Sequence, residues 1–291
     1  MSLARPAANV SWTHHLAFRA LAVVLLIVAG VQGVVARASG ATRGPVDVLY
    51  AGSLLDLMQN EIGPAFNRAT HYSLVGIANG SKTLAAEIKG GAEVADVFVS
   101  ASPSVNRELE GSANGNWVSS YRVVGRSPLL LGYNPSSSFA AALRSSPWYD
   151  VVDRPGFLLG RTDPASDPKG ALAVLALRDA AHRYDRPRLA LLASSANNVF
   201  TEASLVGELD AGQLDAGFFY AVEASAAHLH TVALVGVHLA ATFTVALVNR
   251  APHRAAARAF IAFLLGPRGR AILGRNGITP TTATPSATPS P

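Results

Sequence analysis

Cysteine is absent from the 291 residues. That excludes disulfides, thiolate metal sites and cysteine nucleophiles, and it excludes anchoring through a lipidated cysteine after a signal peptide. Charge is scarce as well, with Asp, Glu, Lys and Arg making up 15% of the chain. Residues 1–38 hold three of the 24 basic residues (Arg5, Arg19, Arg37) and none of the 19 acids, leaving 21 against 19, or +2, for the remainder. A body so nearly neutral, without a stripe of interleaved basic and aromatic residues, has no footprint for nucleic acid. Catalytic signatures are missing too: there is no G-x-S-x-G elbow, no phosphate loop ending in Lys-Ser/Thr and no H-E-x-x-H. Three of the eight histidines, His228, His230 and His238, cluster, but the His-x-His pair has no third ligand nearby, so no zinc site is expected. No internal repeat is visible.

What is present is apolar. Hydrophobic residues make up 49%, enough for a packed core, and the length suits one large or two modest domains. Residues 1–38 read as an export signal. Arg5, His14, His15 and Arg19 precede the apolar run ALAVVLLIVAG at 20–30, and Ala36-Arg37-Ala38 fits a small-x-small cleavage pattern. Cleavage is expected after Ala38; the other reading is an uncleaved anchor tethering the body to the outer face of the membrane. Either way the body works outside the cytoplasm, in the periplasm or at the cell surface. At the other end, 280–291 contain only Thr, Ala, Pro and Ser, a composition that cannot bury a core and predicts disorder.

Between these ends, strands and helices alternate. Strands are expected at 46–50, 73–77 and 94–99, with helices at 54–69, 82–89 and 103–109, a βαβ-type series that argues for a parallel sheet covered on both faces. YRVVGRSPLLLGYNP then carries two apolar runs that could pass from one domain into a second. That second region has strands at 157–160 and 216–220, helices at 170–184 and 201–209, and a strand or helix at 189–193. TFTVALVN at 242–249 reads as a strand returning to the first domain, followed by helices at 254–265 and 268–275. The expected division is therefore 45–125 plus 241–279 as domain 1 and 126–240 as domain 2.

Polar residues at element junctions are the candidate site. Ser53 follows the strand and turn VLYAG and stands where a helix N-cap belongs. Ser81, in ANGSKT, repeats the arrangement. Two such turns at neighbouring strands aim hydroxyls and unpaired N–H groups at one point, a geometry suited to an anion. In GRTDPASDPKG, Asp167 precedes Pro168 at a helix start: either an N-cap with Pro at N1, or a carboxylate presented to a ligand. Asp163 reads as a turn former. Glu202 lies in the first turn of a helix, where it could merely complement the dipole. Tyr220 closes the strand AGFFY, its hydroxyl free for a ligand or for water.

Taken together, VDVLYAGSL, ANGSKT, ADVFVSASP, GRTDPASDPKG and TEASLVGELDAGQLDAGFFY resemble the molybdate/tungstate-binding proteins of ABC importers, over roughly residues 45–280. The resemblance implies a type II periplasmic-binding-protein fold: α/β, two domains, each a mainly parallel sheet flanked by helices, with a ligand cleft between them. It matches Ser53 and Ser81 to hydroxyls on the oxyanion. It matches Asp167 and Glu202, as in the tungstate subgroup, to carboxylates that coordinate the metal centre of the ligand. It matches Tyr220 to the tyrosine that ends the last strand of the site. Phe219 departs from the subgroup, which often has Glu there. The implied role is capture of molybdate or tungstate by a monomeric, non-enzymatic, extracytoplasmic binder. That binder uses no cofactor and serves a membrane permease. The rivals are a binder of sulfate, phosphate or another oxyanion and, from a different class, an extracytoplasmic hydrolase using Asp167 and Glu202 as paired carboxylates at glycosidase-like separation.

Overall fold

A computed structural model describes residues 42–281. The expected signal or anchor at 1–38 and residues 282–291 of the expected tail lie outside the described residues. Pro280 and Thr281, which composition assigned to the disordered tail, are instead held by strand pairing and by bonds from Thr281 to the Val123 and Val124 carbonyls. The Pro280 carbonyl and the backbone groups of Thr281 are free to extend a sheet edge whatever the side chains, so tail composition did not decide their fate. Among the described residues no helix is long and apolar enough to cross a membrane.

Among the described residues ten strands form one mixed sheet. They are β1 (Pro45–Ala51), β2 (Ser73–Asn79), β3 (Val97–Ser100), β4 (Val118–Tyr133), β5 (Leu159–Thr162), β6 (Val199–Phe200), β7 (Ala216–Tyr220), β8 (His230–Ala233), β9 (Ala240–Val248) and β10 (Thr279–Pro280). Their order is β2-β1-β3-β9-β4-β7-β5-β6, with β8 and β10 also pairing to β4. β2, β1 and β3 run parallel, and so do β6, β5 and β7. The remaining pairs, β3 with β9 and β4 with β7, β8, β9 and β10, are antiparallel.

β4 changes partner along its length. Residues Val118 to Pro128 pair with β9, and Leu129 to Tyr133 pair with β7 and β8. The two apolar runs of YRVVGRSPLLLGY are thus one continuous strand shared by two half-sheets. Pro128 sits at the changeover, where a missing N–H is least costly to the ladder.

Most of each half-sheet is covered on both faces, as parallel strands with near-continuous apolar runs require, although Val75 and Ile77 of the edge strand β2 are exposed. In β1, Val46, Val48 and Tyr50 join the large core that includes Phe66 and Phe260, while Leu49 joins a separate core with Leu84, Ile88 and Phe98. Phe66 meets Phe260 edge-on at 5.3 Å between ring centres. In the second half, Phe218 and Tyr220 of β7 face the large core, which includes Trp148, and Phe219 faces Leu205, Leu209 and Leu214.

The helix expected at 54–69 is broken. A 3-10 turn, Gly52–Leu54, leads into Leu55–Leu57, then a wide π-type turn, Met58–Ile62, then Gly63–Thr70. Pro64 explains the interruption: its ring cannot donate to Asn60, and the Gly63 N–H reaches back five residues to the Met58 carbonyl.

Candidate functional site

The five candidate residues all follow the carboxyl ends of parallel strands. Ser53 follows β1, Ser81 follows β2, Asp167 follows β5, Glu202 follows β6, and Tyr220 ends β7. Ligands of open α/β sheets collect at such ends. Ser53 and Ser81 belong to one half-sheet, and Asp167, Glu202 and Tyr220 to the other.

The structure brings the two groups together. Glu202 Oε2 lies against Gly52, so closely that a Cβ at that position would collide with it. Gly80 lies against the Ser166 carbonyl and Asp167, and the Lys82 N–H donates to the Ser166 carbonyl at 3.2 Å. Lys82 Nζ donates to the Pro164 carbonyl at 2.9 Å. Two recesses open beside Glu202. One, about 300 Å³, is lined by Gly80, Thr162, Asp167 and Thr201 among others; the second, about 220 Å³, by Gly52, Ser53, Asp56 and Glu223 among others.

Neither serine is a helix cap. Ser53 lies inside the 3-10 turn, whose cap position is Ala51, and Ser81 is the first residue of the helix Ser81–Gly90, whose cap is Gly80. In both turns a small residue takes the extended cap conformation, which leaves the serine hydroxyl for other partners. Ser81 Oγ accepts the Ala101 N–H at 3.1 Å and keeps its own proton to donate. Ser53 Oγ is buried with no hydrogen-bond partner among the described residues.

Asp167 is an N-cap. Its Oδ1 accepts the Lys169 N–H at 3.0 Å, and Pro168 opens the helix Pro168–Arg183. Its Oδ2 is buried and unpartnered among the described residues. Thr201 caps the helix Glu202–Asp210, so Glu202 is not needed for capping, and neither of its carboxylate oxygens has a hydrogen-bond partner there. Tyr220 is fully buried, and its hydroxyl too lacks a hydrogen-bond partner among the described residues. One buried orphan is ordinary; five such oxygens at the ends of β1, β5, β6 and β7 ask for a common explanation.

Burial first, and then the neighbouring Asp167 and Glu223 carboxyls, push the Glu202 pKa well above the usual carboxylate range, despite the opposing effect of Lys169. Burial, together with Asp167, Glu202 and Glu223, likewise pushes the Tyr220 phenol up. In both groups burial penalises the charged form.

Two residues of this cluster escaped the sequence reading. Lys169 is completely buried, its Nζ 2.5 Å from Glu223 Oε1 and 3.5 Å from Glu202 Oε1. Burial opposes its charge, but Glu223, Glu202 and Asp167 more than offset this, and its pKa is raised. Glu223 Oε2 accepts the Tyr220 N–H at 3.1 Å, as in a capping box. The available signal was a lysine in the first turn of a helix, against the helix dipole, which asks for a compensating acid.

Among the described residues a nitrogen and two carboxylates also gather at Asp47, Asp96 and His253. Asp96 there accepts the Asp47 N–H at 2.8 Å and the His253 N–H at 2.6 Å, and faces His253 Nδ1 at 2.9 Å. It staples β1 to the start of the helix Arg254–Leu265, toward the amino end of β1 and away from the serine turns.

A model of the bacterial extracellular solute-binding protein family matches residues 46–279. The chain belongs to that family. A relative from Haloferax volcanii, named a putative ABC transporter molybdenum-binding protein, is 29% identical over 66% of this chain and 63% of its own length. The molybdate/tungstate-binding protein WtpA of Pyrococcus abyssi is 22% identical over 55% of this chain and 62% of its own. The chain thus spans less than two thirds of the length of these relatives. Among solved structures, the sulfate-binding protein SubI of Mycobacterium tuberculosis superposes with a TM-score of 0.66 at 16% identity, over 81% of this chain and 87% of its own. The Azotobacter vinelandii periplasmic molybdate-binding protein gives 0.60 at 16% identity, over 83% and 100%. At such identities these likenesses show the fold: the periplasmic-binding-protein architecture.

Proposed function

We propose that this family member captures molybdate or tungstate in the cleft between its half-sheets, outside the cytoplasm, and delivers it to the membrane permease of an ABC importer. The observation that carries this reading is the set of buried, unpartnered oxygens of Ser53, Asp167, Glu202 and Tyr220, with Ser81 beside them. Hydroxyls and helix-start N–H groups donate to the oxygens of an anion. Carboxylates facing a dianion are repulsive, by about 4 kcal/mol per pair of unit charges at 4 Å and an effective dielectric near 20. A central atom that accepts lone pairs turns that cost into coordination. Tungsten and molybdenum expand their shells in this way, whereas sulfur in sulfate does not. The names of the relatives support the same choice. On this reading Asp167 and Glu202 are the ligands to the metal centre, the chain acts as a monomer with no catalysis of its own, and the half-sheets are the two lobes, 45–125 plus 241–279 and 126–240.

The hydrolase reading draws no support from the family or its named relatives, which are solute-binding proteins.

Calorimetric titration with tungstate, molybdate, sulfate and phosphate tests the proposal, in the wild type and in Asp167→Asn/Glu202→Gln. The wild type should bind tungstate and molybdate far more tightly than sulfate. The double variant should lose tungstate and molybdate affinity while keeping or gaining sulfate affinity. Equal loss for all four anions would reduce the carboxylates to helix-end residues, and tight sulfate binding by the wild type would overturn the metal-oxyanion assignment.

A further inference from the structure

Lys169 stands apart from every other residue of the cluster because it contacts both proposed donors. Its backbone N–H holds Asp167 Oδ1, and its ammonium reaches Glu202 Oε1. The two oxygens of Glu202 are thereby told apart: Oε1 turns to Lys169, and Oε2 lies against Gly52, in the turn that carries Ser53. Lys169 is itself gripped from behind by Glu223 Oε1, whose other oxygen holds the Tyr220 N–H. A line of contacts thus runs from the end of β7, through Glu223 and Lys169, to the Glu202 carboxylate. The ammonium also lies over the Phe219 ring, 5.5 Å from its centre.

We propose that Lys169 is a specificity-determining positioning residue, which fixes the Glu202 carboxylate so that one oxygen is presented to the central atom of the bound oxyanion. This rests on the molybdate/tungstate reading above and adds to it a residue that touches the donors without touching the ligand. A lysine attracting the anion directly would favour every dianion alike. One that aims Glu202 favours only ligands whose central atom accepts the carboxylate, because sulfate makes no use of a well-aimed donor. A buried ion pair serving stability alone would favour none. The three roles therefore differ in selectivity.

The test measures tungstate and sulfate affinity of the full chain by calorimetry, with sulfate read by competition where it is weak. The variants are Lys169→Met, Lys169→Met/Glu223→Gln, Glu202→Gln and the triple combination. Lys169→Met alone strands Glu223 in the interior and could unfold the chain. The paired variant removes both charges, a change that buried ion pairs commonly tolerate, and the amide oxygen introduced by Glu223→Gln still accepts the Tyr220 N–H. The paired variant should lose about 10–100-fold in tungstate affinity, the usual cost of removing a group that orients a metal ligand. Sulfate affinity should stay within about threefold, and on the Glu202→Gln background the same pair of changes should cost tungstate less than about threefold, since coupled residues do not add. Proportional loss for both anions, unchanged tungstate affinity or full additivity with Glu202→Gln each overturns the proposal. A wild type that binds no tungstate is a separate failure: it refutes the function above and removes this inference with it.

Discussion

The candidate site residues differ in how far each is committed to the protein's own structure, and mutation separates that duty from the proposed binding. Ser81 accepts a backbone N–H, whereas Ser53 has no partner among the described residues. Ser53→Ala and Ser81→Ala should each weaken tungstate binding by about 1.5–3 kcal/mol, the range for hydrogen bonds to a charged group. Ser53→Ala should leave stability nearly untouched, since its hydroxyl has no protein partner to lose; Ser81→Ala should also cost about 1 kcal/mol of folding stability, because it orphans the buried Ala101 N–H. Unfolding curves and titrations on the same samples check both halves; identical binding in both variants and the wild type would remove the serine turns from the site. Glu202 makes a prediction in pH. Its folded-state pKa lies well above the unfolded value, so the folded chain holds a proton that the unfolded chain releases first. As pH rises from about 4 through the raised pKa, the native state binds more protons than the unfolded state and stability falls. Glu202→Gln lacks this loss. Its stability relative to the wild type, from urea unfolding without ligand, should rise across that window and level off above it, and parallel profiles would contradict the buried-carboxyl account.

Among the elements, some were legible in the chain and others were not, for identifiable reasons. The strand AGFFY at 216–220 and the helix Arg254–Leu265 emerged with the bounds expected of them. The first is a short apolar run between turn residues, and the second carries apolar residues at helical spacing up to a Gly-Pro stop. The continuous helix expected after Ser53 broke at a proline whose cost a wide turn absorbs. The five candidate residues were visible singly, because each stands at a junction between elements. Lys169 and Glu223 were not, since their partnership spans 54 positions and only packing brings them together. The loop that presents Asp167 depends on a close approach of the same kind. A Cβ on Gly170 would strike the backbone from Thr162 to Pro164, whereas one on Gly90 would meet open space. Gly170→Ala should therefore destabilise by about 1–3 kcal/mol through overpacking against rigid backbone, and weaken tungstate binding as the Asp167 loop shifts. Gly90→Ala, in the last turn of its helix, should be neutral or stabilising by about 0.4–1 kcal/mol. Equal stability changes in the two variants would show that the loop accommodates a methyl group.

At the scale of the molecule, the half-sheets share one strand and meet again where β9 begins. The Leu129 N–H bonds to the Leu239 carbonyl, so the connection entering β9 runs beside the changeover in β4. We propose these two neighbouring segments as the hinge. A ligand held by Ser53 and Ser81 on one side and by Asp167, Glu202 and Tyr220 on the other would cross-link the lobes. Contacts already spanning the cleft around these residues include Lys82 to the carbonyls of Pro164 and Ser166, the packing of Gly52 on Glu202 and the edge-on Tyr220–Phe243 pair. At a free tungstate concentration of 100 times Kd, binding to the native state alone adds about 2.7 kcal/mol. For a chain of this size each kcal/mol moves Tm by about 2–4 °C, so a rise of roughly 5–10 °C is expected. Sulfate at the same absolute concentration should produce little shift, and Asp167→Asn/Glu202→Gln should narrow the gap between the two anions. Small-angle scattering on the same samples separates closure from local stabilisation: a fall in the radius of gyration with tungstate supports a hinge at the β4 changeover. A full thermal shift with no compaction would leave the oxyanion site standing and replace the hinge with a cleft that is already closed before the ligand arrives.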